Sequence, residues 1–219
     1  MKKNKQKDPC KTKGLFYETI LRSFVESAKP TLIVVDVQPE YESYMGFNVS
    51  DFMEWINQNE DEFQSVLFLY NGADTLDMIP LHDLQMWYME HDLEESIVHT
   101  SDFYDKGYAF FRFCMDSGID DDDIVKLVKY MAKNDITDSR EIDSEIWDHF
   151  VSEYGAEDVR ELLQDAGDMI NIPDLMDFLK DYNNDIILTG GGANECLKEV
   201  EIALDALDKK YTHNHDWTY

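Results

Sequence analysis

The stretch "DIILTGGGANECLKEVEIALDAL", from Asp185 to Leu207, decides the fold because it places a buried strand directly before a helix. The apolar run at 186–189 ends in three glycines, which permit backbone geometries that residues with a Cβ resist. From Leu197 onward, leucine and valine repeat at helical spacing. We therefore predict that Cys196 lies in the first turn of a helix, just beyond the carboxyl end of a strand, where open α/β sheets bind ligands.

Working outward, the same alternation of strand and helix occurs in the first half of the chain. "LIVVD" predicts a buried strand that ends at Asp36, "SVLFLYNGAD" predicts a second strand, and "ESIVHTSDFYDKGYAFF" contains a third, short one. Amphipathic segments separate these strands. From 115 to 184 only helical patterns occur, and one helix and a short tail follow the last strand. We predict a three-layer α/β/α fold with a mostly parallel sheet, interrupted by an all-helical insertion.

This pattern divides the chain into a flexible basic tail at 1–14, an α/β domain at 15–114 and 185–219, and the helical insertion at 115–184. The three cysteines are widely spaced and odd in number, which is typical of a reducing cytoplasm rather than of a disulfide framework. No secretory signal or membrane-length apolar run is expected. The oligomeric state stays open, a homo-oligomer included.

The net charge of −28 is extreme for 219 residues. Such an acidic body repels nucleic acid and anionic membranes, so we expect it to bind neither directly. It can attract a basic protein partner, or occupy a nucleic-acid-binding groove as a charge mimic.

Three motif interpretations fail on the sequence. Asp181 opens the spacing of a calcium-binding loop, but the required glycine and glutamate are absent. The glycines before Cys196 lack the third glycine of a dinucleotide fingerprint, since Glu195 stands there. His213 and His215 have no third ligand nearby and suit a polar tail. We therefore predict no metal and no cofactor.

Three chemically distinct residues remain at the predicted strand ends. Asp36 ends the first strand, Lys106 stands beside aromatics near another strand end, and Cys196 follows the last strand. Because the carboxyl ends of parallel strands share one edge of a sheet, we expect these side chains to meet. A thiol nucleophile needs a base, and a helix N-terminus with a nearby cation favours its thiolate. The sequence thus predicts that Cys196 reacts faster than Cys10 at mildly acidic pH if Glu195 points away from the pocket, since the charges of Glu195 and Asp36 oppose the thiolate. The alternative is a buried structural cysteine.

The motifs around these residues resemble those of the isochorismatase-like cysteine hydrolases, a family that includes nicotinamidases. "LIVVDVQPEY" resembles the family's opening strand, "KGYAFF" its lysine motif, and "IILTGGGANECLKEVEIALDAL" its nucleophile loop. The resemblance implies that Asp36 is the base, Lys106 the thiolate-stabilising cation and Cys196 the nucleophile. It also implies that the backbone N–H groups of Gly192 and Cys196 form an oxyanion hole.

The resemblance implies a hydrolase that cleaves a small amide or related acyl substrate through a covalent cysteine intermediate. The chain departs from the family in its three successive glycines, in Glu195, and in lacking the aspartate–histidine cluster that binds metal in nicotinamidases. The competing hypothesis is a divergent, catalytically inactive protein with the hydrolase fold that binds a basic protein partner through its acidic surface.

Overall fold

The computed structural model describes residues 29–72, 79–106, 120–134, 148, 151–153, 155 and 171–219 of the chain. The predicted basic tail, the amphipathic segment at 15–28 and two of the three cysteines, Cys10 and Cys114, lie outside these ranges.

A five-stranded sheet forms the centre of the described structure. Its strands are β1 (Thr31–Val35), β2 (Ser65–Tyr70), β3 (Asp102–Asp105), β4 (Ile186–Gly190) and β5 (Tyr211–His213). The spatial order is β3-β2-β1-β4-β5, and all four pairings are parallel. The prediction of a mostly parallel α/β fold is confirmed. β1 lies in the middle, and its five residues are all buried because helices cover both faces.

Helices pack against both faces of this sheet. Those with described bounds are α1 (Val49–Asn59), α2 (Leu81–Glu90), α3 (Glu95–Thr100), α4 (Asp121–Asn134), α5 (Asn171–Leu179) and α6 (Cys196–Ala206). Side chains of α1, α2 and α3 share one apolar cluster with Leu32 and Val34 of β1. Side chains of α4, α5 and α6 share the opposite cluster with Ile33 and Val35. The alternation along β1 therefore divides the core into two layers.

The predicted helical insertion falls mostly outside the described residues, so its bounds stay a prediction. Its described helices, α4 and α5, pack with α6 against the sheet. The sequence pattern places Ile124, Leu127 and Met131 on one face of α4, and all three are buried. These helices thus contribute directly to the core that supports the last strand and the Cys196 helix.

One local expectation needs correction. The sequence pattern predicts a tail after α6, yet Tyr211–His213 forms β5 and pairs with β4. Thr212 is exposed and its two neighbours are only partly buried, so the apolar signal of a strand is missing, and pairing with β4 defines the strand. In the segment "ESIVHTSDFYD" the short strand is found as β3, but Glu95–Thr100 before it is a helix. Within the described ranges, each helix is too short or too polar to span a bilayer.

Candidate active site

Asp36 lies directly after β1, at the carboxyl edge of the sheet, as the sequence predicts. Its N–H donates to the carbonyl of Leu69 at 2.8 Å, which continues the pairing with β2. Its φ is 48°, in the left-handed region that aspartate tolerates better than most residues. The residue is only 1% exposed. The turn therefore directs a carboxylate into the protein instead of toward solvent.

Lys106 follows β3, the neighbour of β2, and reaches the same place. Its N–H donates to the carbonyl of Tyr70 at 2.9 Å, so the backbone is held in the sheet up to this residue. The side chain is buried, and Nζ lies 2.9 Å from Oδ2 of Asp36. Both side-chain oxygens of Asp36 are inaccessible to solvent, so the carboxylate and the ammonium face each other away from water. The structure thus brings the predicted base and the predicted cation together.

Cys196 is the first residue of α6, and the glycines before it explain how it gets there. Gly190 has φ 80°, and a Cβ on it would lie 2.3 Å from the carbonyl oxygen of Val35. Gly191, at φ 52°, donates its N–H to that same carbonyl at 2.7 Å. The end of β4 therefore turns in contact with the end of β1, which only glycine permits. This turn places the buried thiol at the sheet edge that carries Asp36.

Several backbone N–H groups around the turn make no hydrogen bond within the described part of the chain. Those of Gly192, Asn194 and Cys196 donate none, whereas those of Ala193 and Glu195 do. The N–H groups of Gly192 and Cys196 lie at the N-terminal end of α6, where the helix dipole favours negative charge. Unused donors beside a nucleophile are what an oxyanion needs. The Glu195 side chain is exposed but folds back over Gly192, so that a Cβ there would lie 2.9 Å from Oε2.

Sequence reasoning missed one member of this cluster, Glu199. It lies one turn after Cys196 on α6, is 2% exposed, and places Oε2 at 2.9 Å from Nζ of Lys106. The ammonium therefore lies between two buried carboxylates. A signal is present in the sequence, since an acid beside Val200 falls on the apolar face of the predicted helix. In so acidic a chain, that signal does not distinguish Glu199 from surface acids.

The local charges decide the protonation of the cluster. Burial alone would lower the pKa of Lys106, but the charges of Asp36 and Glu199 outweigh it and hold that pKa well above its usual range. Burial raises the pKa of Glu199, although Lys106 opposes the change. Burial, followed by the negative charge of Asp36, raises the pKa of Cys196 far above its usual range, and Lys106 offsets this only in part.

The sequence-based expectation of a thiolate-favouring site is therefore wrong for the resting protein. The helix N-terminus and Lys106 are both present, but the ammonium is already neutralised by two carboxylates, and the thiol is removed from water. In the resting cluster Lys106 is an ammonium and Cys196 is a thiol, because the pKa of each is raised.

Two tyrosines lie close enough to the cluster to feel its charges. Burial raises the pKa of Tyr41 to about 12, with smaller contributions from Asp36 and Cys196. Burial also raises the pKa of Tyr219, again with Asp36 and Cys196 contributing. The Tyr219 hydroxyl donates to the main-chain carbonyl of Asp36 at 3.1 Å, and Tyr41 Oη accepts from the Asn71 amide at 3.2 Å. Aromatic hydroxyls therefore flank the thiol.

Gln38 joins the ends of β1 and β2 in this region. Its Oε1 accepts from the Asn71 N–H at 2.9 Å, and its Nε2 donates to the Asn71 carbonyl at 3.2 Å. This pair of hydrogen bonds replaces the sheet ladder beyond the last strand residues. The glutamine that follows Asp36 so closely in the motif thus holds the loop that carries Asp36.

Within the described ranges, no group of three or more histidine, cysteine, aspartate or glutamate side chains is arranged to hold a metal ion. The two histidines of the C-terminal segment, His213 and His215, lie near α6. Nε2 of His213 is 2.9 Å from Oε1 of Glu201, and the His215 ring centroid is 5.4 Å from that of His213. The contact between His213 and Glu201 ties β5 to α6.

Comparison of the chain with protein-family models, with curated proteins and with solved structures finds no match. Function must therefore be inferred from the geometry of the site and from the resemblance of its motifs.

Proposed function

We propose that this protein is a cysteine-dependent hydrolase of the isochorismatase-like type, acting on a small amide or related acyl substrate through a covalent Cys196 intermediate. One observation carries the proposal. Asp36, Lys106 and Cys196 follow three different strands, yet they meet in one buried cluster at the carboxyl edge of the sheet. This edge is the usual ligand site of parallel α/β sheets.

The acylation step uses Asp36 as general base. Its carboxylate accepts the thiol proton while the sulfur attacks the substrate carbonyl carbon and forms the C–S bond. The carbonyl electron pair moves onto oxygen, and the N–H groups of Gly192 and Cys196 stabilise the oxyanion. As the carbonyl re-forms, the C–N bond breaks, and protonated Asp36 gives its proton to the departing amine.

Deacylation repeats the sequence with water. Asp36 removes a proton from water, the hydroxide oxygen adds to the thioester carbonyl, and the C–S bond breaks. The thiolate takes back the proton from Asp36, which releases a carboxylic acid and restores the thiol. Lys106 stays an ammonium throughout and offsets the negative charge that develops on sulfur.

The raised pKa of Cys196 fits this order of events. A buried thiol beside a carboxylate keeps its proton in the absence of substrate, which limits side reactions such as oxidation. Proton transfer to Asp36 then accompanies attack instead of preceding it. We further propose the cytoplasm as the compartment, because three widely spaced cysteines without a disulfide framework are typical of a reducing environment.

The test is a hydrolysis screen with small primary and secondary amides, combined with intact-protein mass spectrometry to trap an acyl adduct. We expect amine release and an adduct that maps to Cys196. Cys196→Ala removes both signals, and Asp36→Asn lowers turnover by at least about a hundredfold, the scale of a general base. Hydrolysis that persists in Cys196→Ala refutes the covalent mechanism.

The second candidate is a catalytically inactive protein with the same fold that binds a basic protein partner. The net charge of −28 favours it, because such a surface attracts cations at long range. The test is titration with a lysine-rich peptide at low salt and again at roughly 0.3 M salt, where the Debye length falls well below 10 Å. Tight, salt-sensitive binding without hydrolysis of any amide supports this candidate, and hydrolysis that depends on Cys196 overturns it.

A further inference from the structure

The position of Glu199 is unexplained by the three-residue mechanism. A cysteine hydrolase needs a nucleophile, a base and a cation, and these are already supplied. Glu199 adds a second carboxylate that contacts the same ammonium at the same 2.9 Å as Asp36 does. Its burial at 2% exposure has a desolvation cost that a surface acid would avoid.

We propose that Glu199 is a positioning residue of this site, which holds the Lys106 ammonium and adds to the negative charge of Asp36 that keeps Cys196 a thiol while no substrate is bound. This proposal rests on the proposed function only in assuming that a substrate binds at the site. The rest concerns the protein alone, namely a buried ion cluster whose net charge affects the protonation of the Cys196 sulfur.

The charge count shows why the second carboxylate matters. With Asp36 alone, the ammonium would form a neutral pair, and a thiolate beside it would bring the cluster to −1. With Glu199 present the resting cluster is already at −1, and a thiolate would bring it to −2 in a buried place. Like charges at short range disfavour that state. The thiolate would also compete with two carboxylates for one ammonium.

Every described element around the sulfur contributes to this balance. Asp36 comes from the loop after β1, Lys106 from the end of β3, and Glu199 from α6 itself. Tyr41, in the 3-10 turn after β1, and Tyr219 are charge-coupled to the sulfur. Both phenols stay neutral at ordinary pH, because burial raises their pKa values. Among these groups, only Lys106 carries positive charge.

Glu199→Gln tests the proposal because it removes the charge and keeps the shape and a hydrogen-bond acceptor. The probe is iodoacetamide, a small neutral reagent, with the alkylation rate of Cys196 resolved by mass spectrometry from that of the other cysteines. We expect the pH dependence to move to lower pH by about one unit, which means about tenfold faster alkylation at a fixed pH below the thiol pKa.

The direction of the shift separates the proposal from a purely structural role. If Glu199 only held Lys106 in place, the variant would loosen the ammonium, and the thiol would become harder to ionise. An unchanged or raised pKa of Cys196 in Glu199→Gln therefore overturns the proposal. The matched control is Glu201→Gln, which removes a charge from the same helix where it contacts Lys198 and His213. We expect no shift there.

If Glu199→Gln fails to fold, the double variant Lys106→Met/Glu199→Gln provides the test. It removes one positive and one negative charge, so the cluster keeps its resting value of −1. Its reference is the single variant Lys106→Met, because the loss of the cation by itself makes the thiol harder to ionise. An alkylation profile at lower pH than that of Lys106→Met supports the proposal, and an unchanged profile or one at higher pH overturns it.

These outcomes are independent of the proposed hydrolysis. A shifted alkylation profile in a protein that hydrolyses no amide keeps the role of Glu199 and removes the enzyme hypothesis. Amide hydrolysis by Cys196 with an unshifted profile in Glu199→Gln does the reverse.

Discussion

Replacement of Lys106 by methionine is the perturbation whose effect on stability follows most directly from the structure. The change keeps a side chain of similar length and removes the one described cation in contact with Asp36 and Glu199. Two buried carboxylates then have no counter-charge among the described residues. At an effective dielectric constant of about 20, two unit charges at the observed 2.9 Å attract by roughly 6 kcal/mol. Desolvation of the charges offsets much of this attraction in the intact protein. The cost of the substitution is therefore better estimated from the stability that proteins lose when one partner of a buried ion pair is removed.

Removing one partner of a buried ion pair typically costs about 3–5 kcal/mol, because the remaining charge stays buried. We expect Lys106→Met to lower the free energy of unfolding by about that amount near neutral pH. The measurement is urea denaturation followed by tryptophan fluorescence. Since domains are stable by only about 5–15 kcal/mol, the variant will unfold at much lower urea concentration.

The loss depends on pH in a defined direction. Burial already raises the pKa of Glu199, and without Lys106 nothing in the described cluster opposes that shift. The folded variant then binds more protons than the unfolded one, so its stability increases as the pH falls. We expect the difference from the wild type to be largest near neutral pH and to shrink as the solution is acidified toward the raised pKa of Glu199. Subtracting the free energy of unfolding of the wild type at each pH removes the effect that acid has on both proteins through their many other carboxylates.

Lys198→Met is the matched control. Lys198 also contacts two acids, Asp121 at 2.6 Å and Glu201 at 3.2 Å, but its side chain is 29% exposed and therefore hydrated. Pairs of this kind contribute about 0–1 kcal/mol. If Lys106→Met costs no more than Lys198→Met near neutral pH, the buried cluster does not carry the charges that we assign to it.

Three further predictions concern the turn and its surroundings. Gly190→Ala should lower the free energy of unfolding, measured in urea, by about 2–4 kcal/mol, because its Cβ would lie 2.3 Å from the Val35 carbonyl oxygen at φ 80°. The control Gly46→Ala, whose Cβ would have nothing within 4 Å, should cost under about 1 kcal/mol, and equal costs would contradict the close approach of the two strand ends. Tyr219→Phe loses one hydrogen bond at 3.1 Å and should cost about 0.5–1.5 kcal/mol by the same assay, so a stabilised variant would argue against that contact. Glu195→Gln removes a solvent-screened negative charge beside Gly192, where the oxyanion would form, and should raise the kcat of the proposed hydrolysis about two- to fivefold. The urea midpoint should stay unchanged, and a slower enzyme would refute this reasoning.

The strand ends were predictable because they carry unusual local patterns. Four successive β-branched or leucine residues before Asp36, and three glycines before Cys196, each have few alternative explanations. Parallel pairing then places both residues at one edge of the sheet without knowledge of any side-chain contact. Lys106 is identified less directly, from its aromatic neighbours, and its strand is only four residues long.

Other features could not be predicted from the sequence because they depend on tertiary contacts. β5 has no apolar pattern, and its pairing with β4 is made by backbone groups that any sequence possesses. The proton on Cys196 depends first on the burial of the thiol and then on its proximity to Asp36, Lys106 and Glu199, which are properties of the tertiary structure. Local sequence shows the helix N-terminus and the lysine, but neither the burial of the thiol nor the position of Glu199. The predicted direction of the Cys196 pKa shift is therefore wrong.

Several costly features coincide at this one edge of the sheet. Asp36 has a left-handed backbone, Gly190 allows two strand ends to touch, and three charged groups are buried beside a thiol. Each of these is unfavourable by itself, and a buried ion cluster is often no more stabilising than apolar residues of the same volume. A chain selected for stability alone has no reason to place all of them together. Strained backbone and perturbed titratable groups concentrate where chemistry or binding requires them, which supports the proposal that this edge is the functional site.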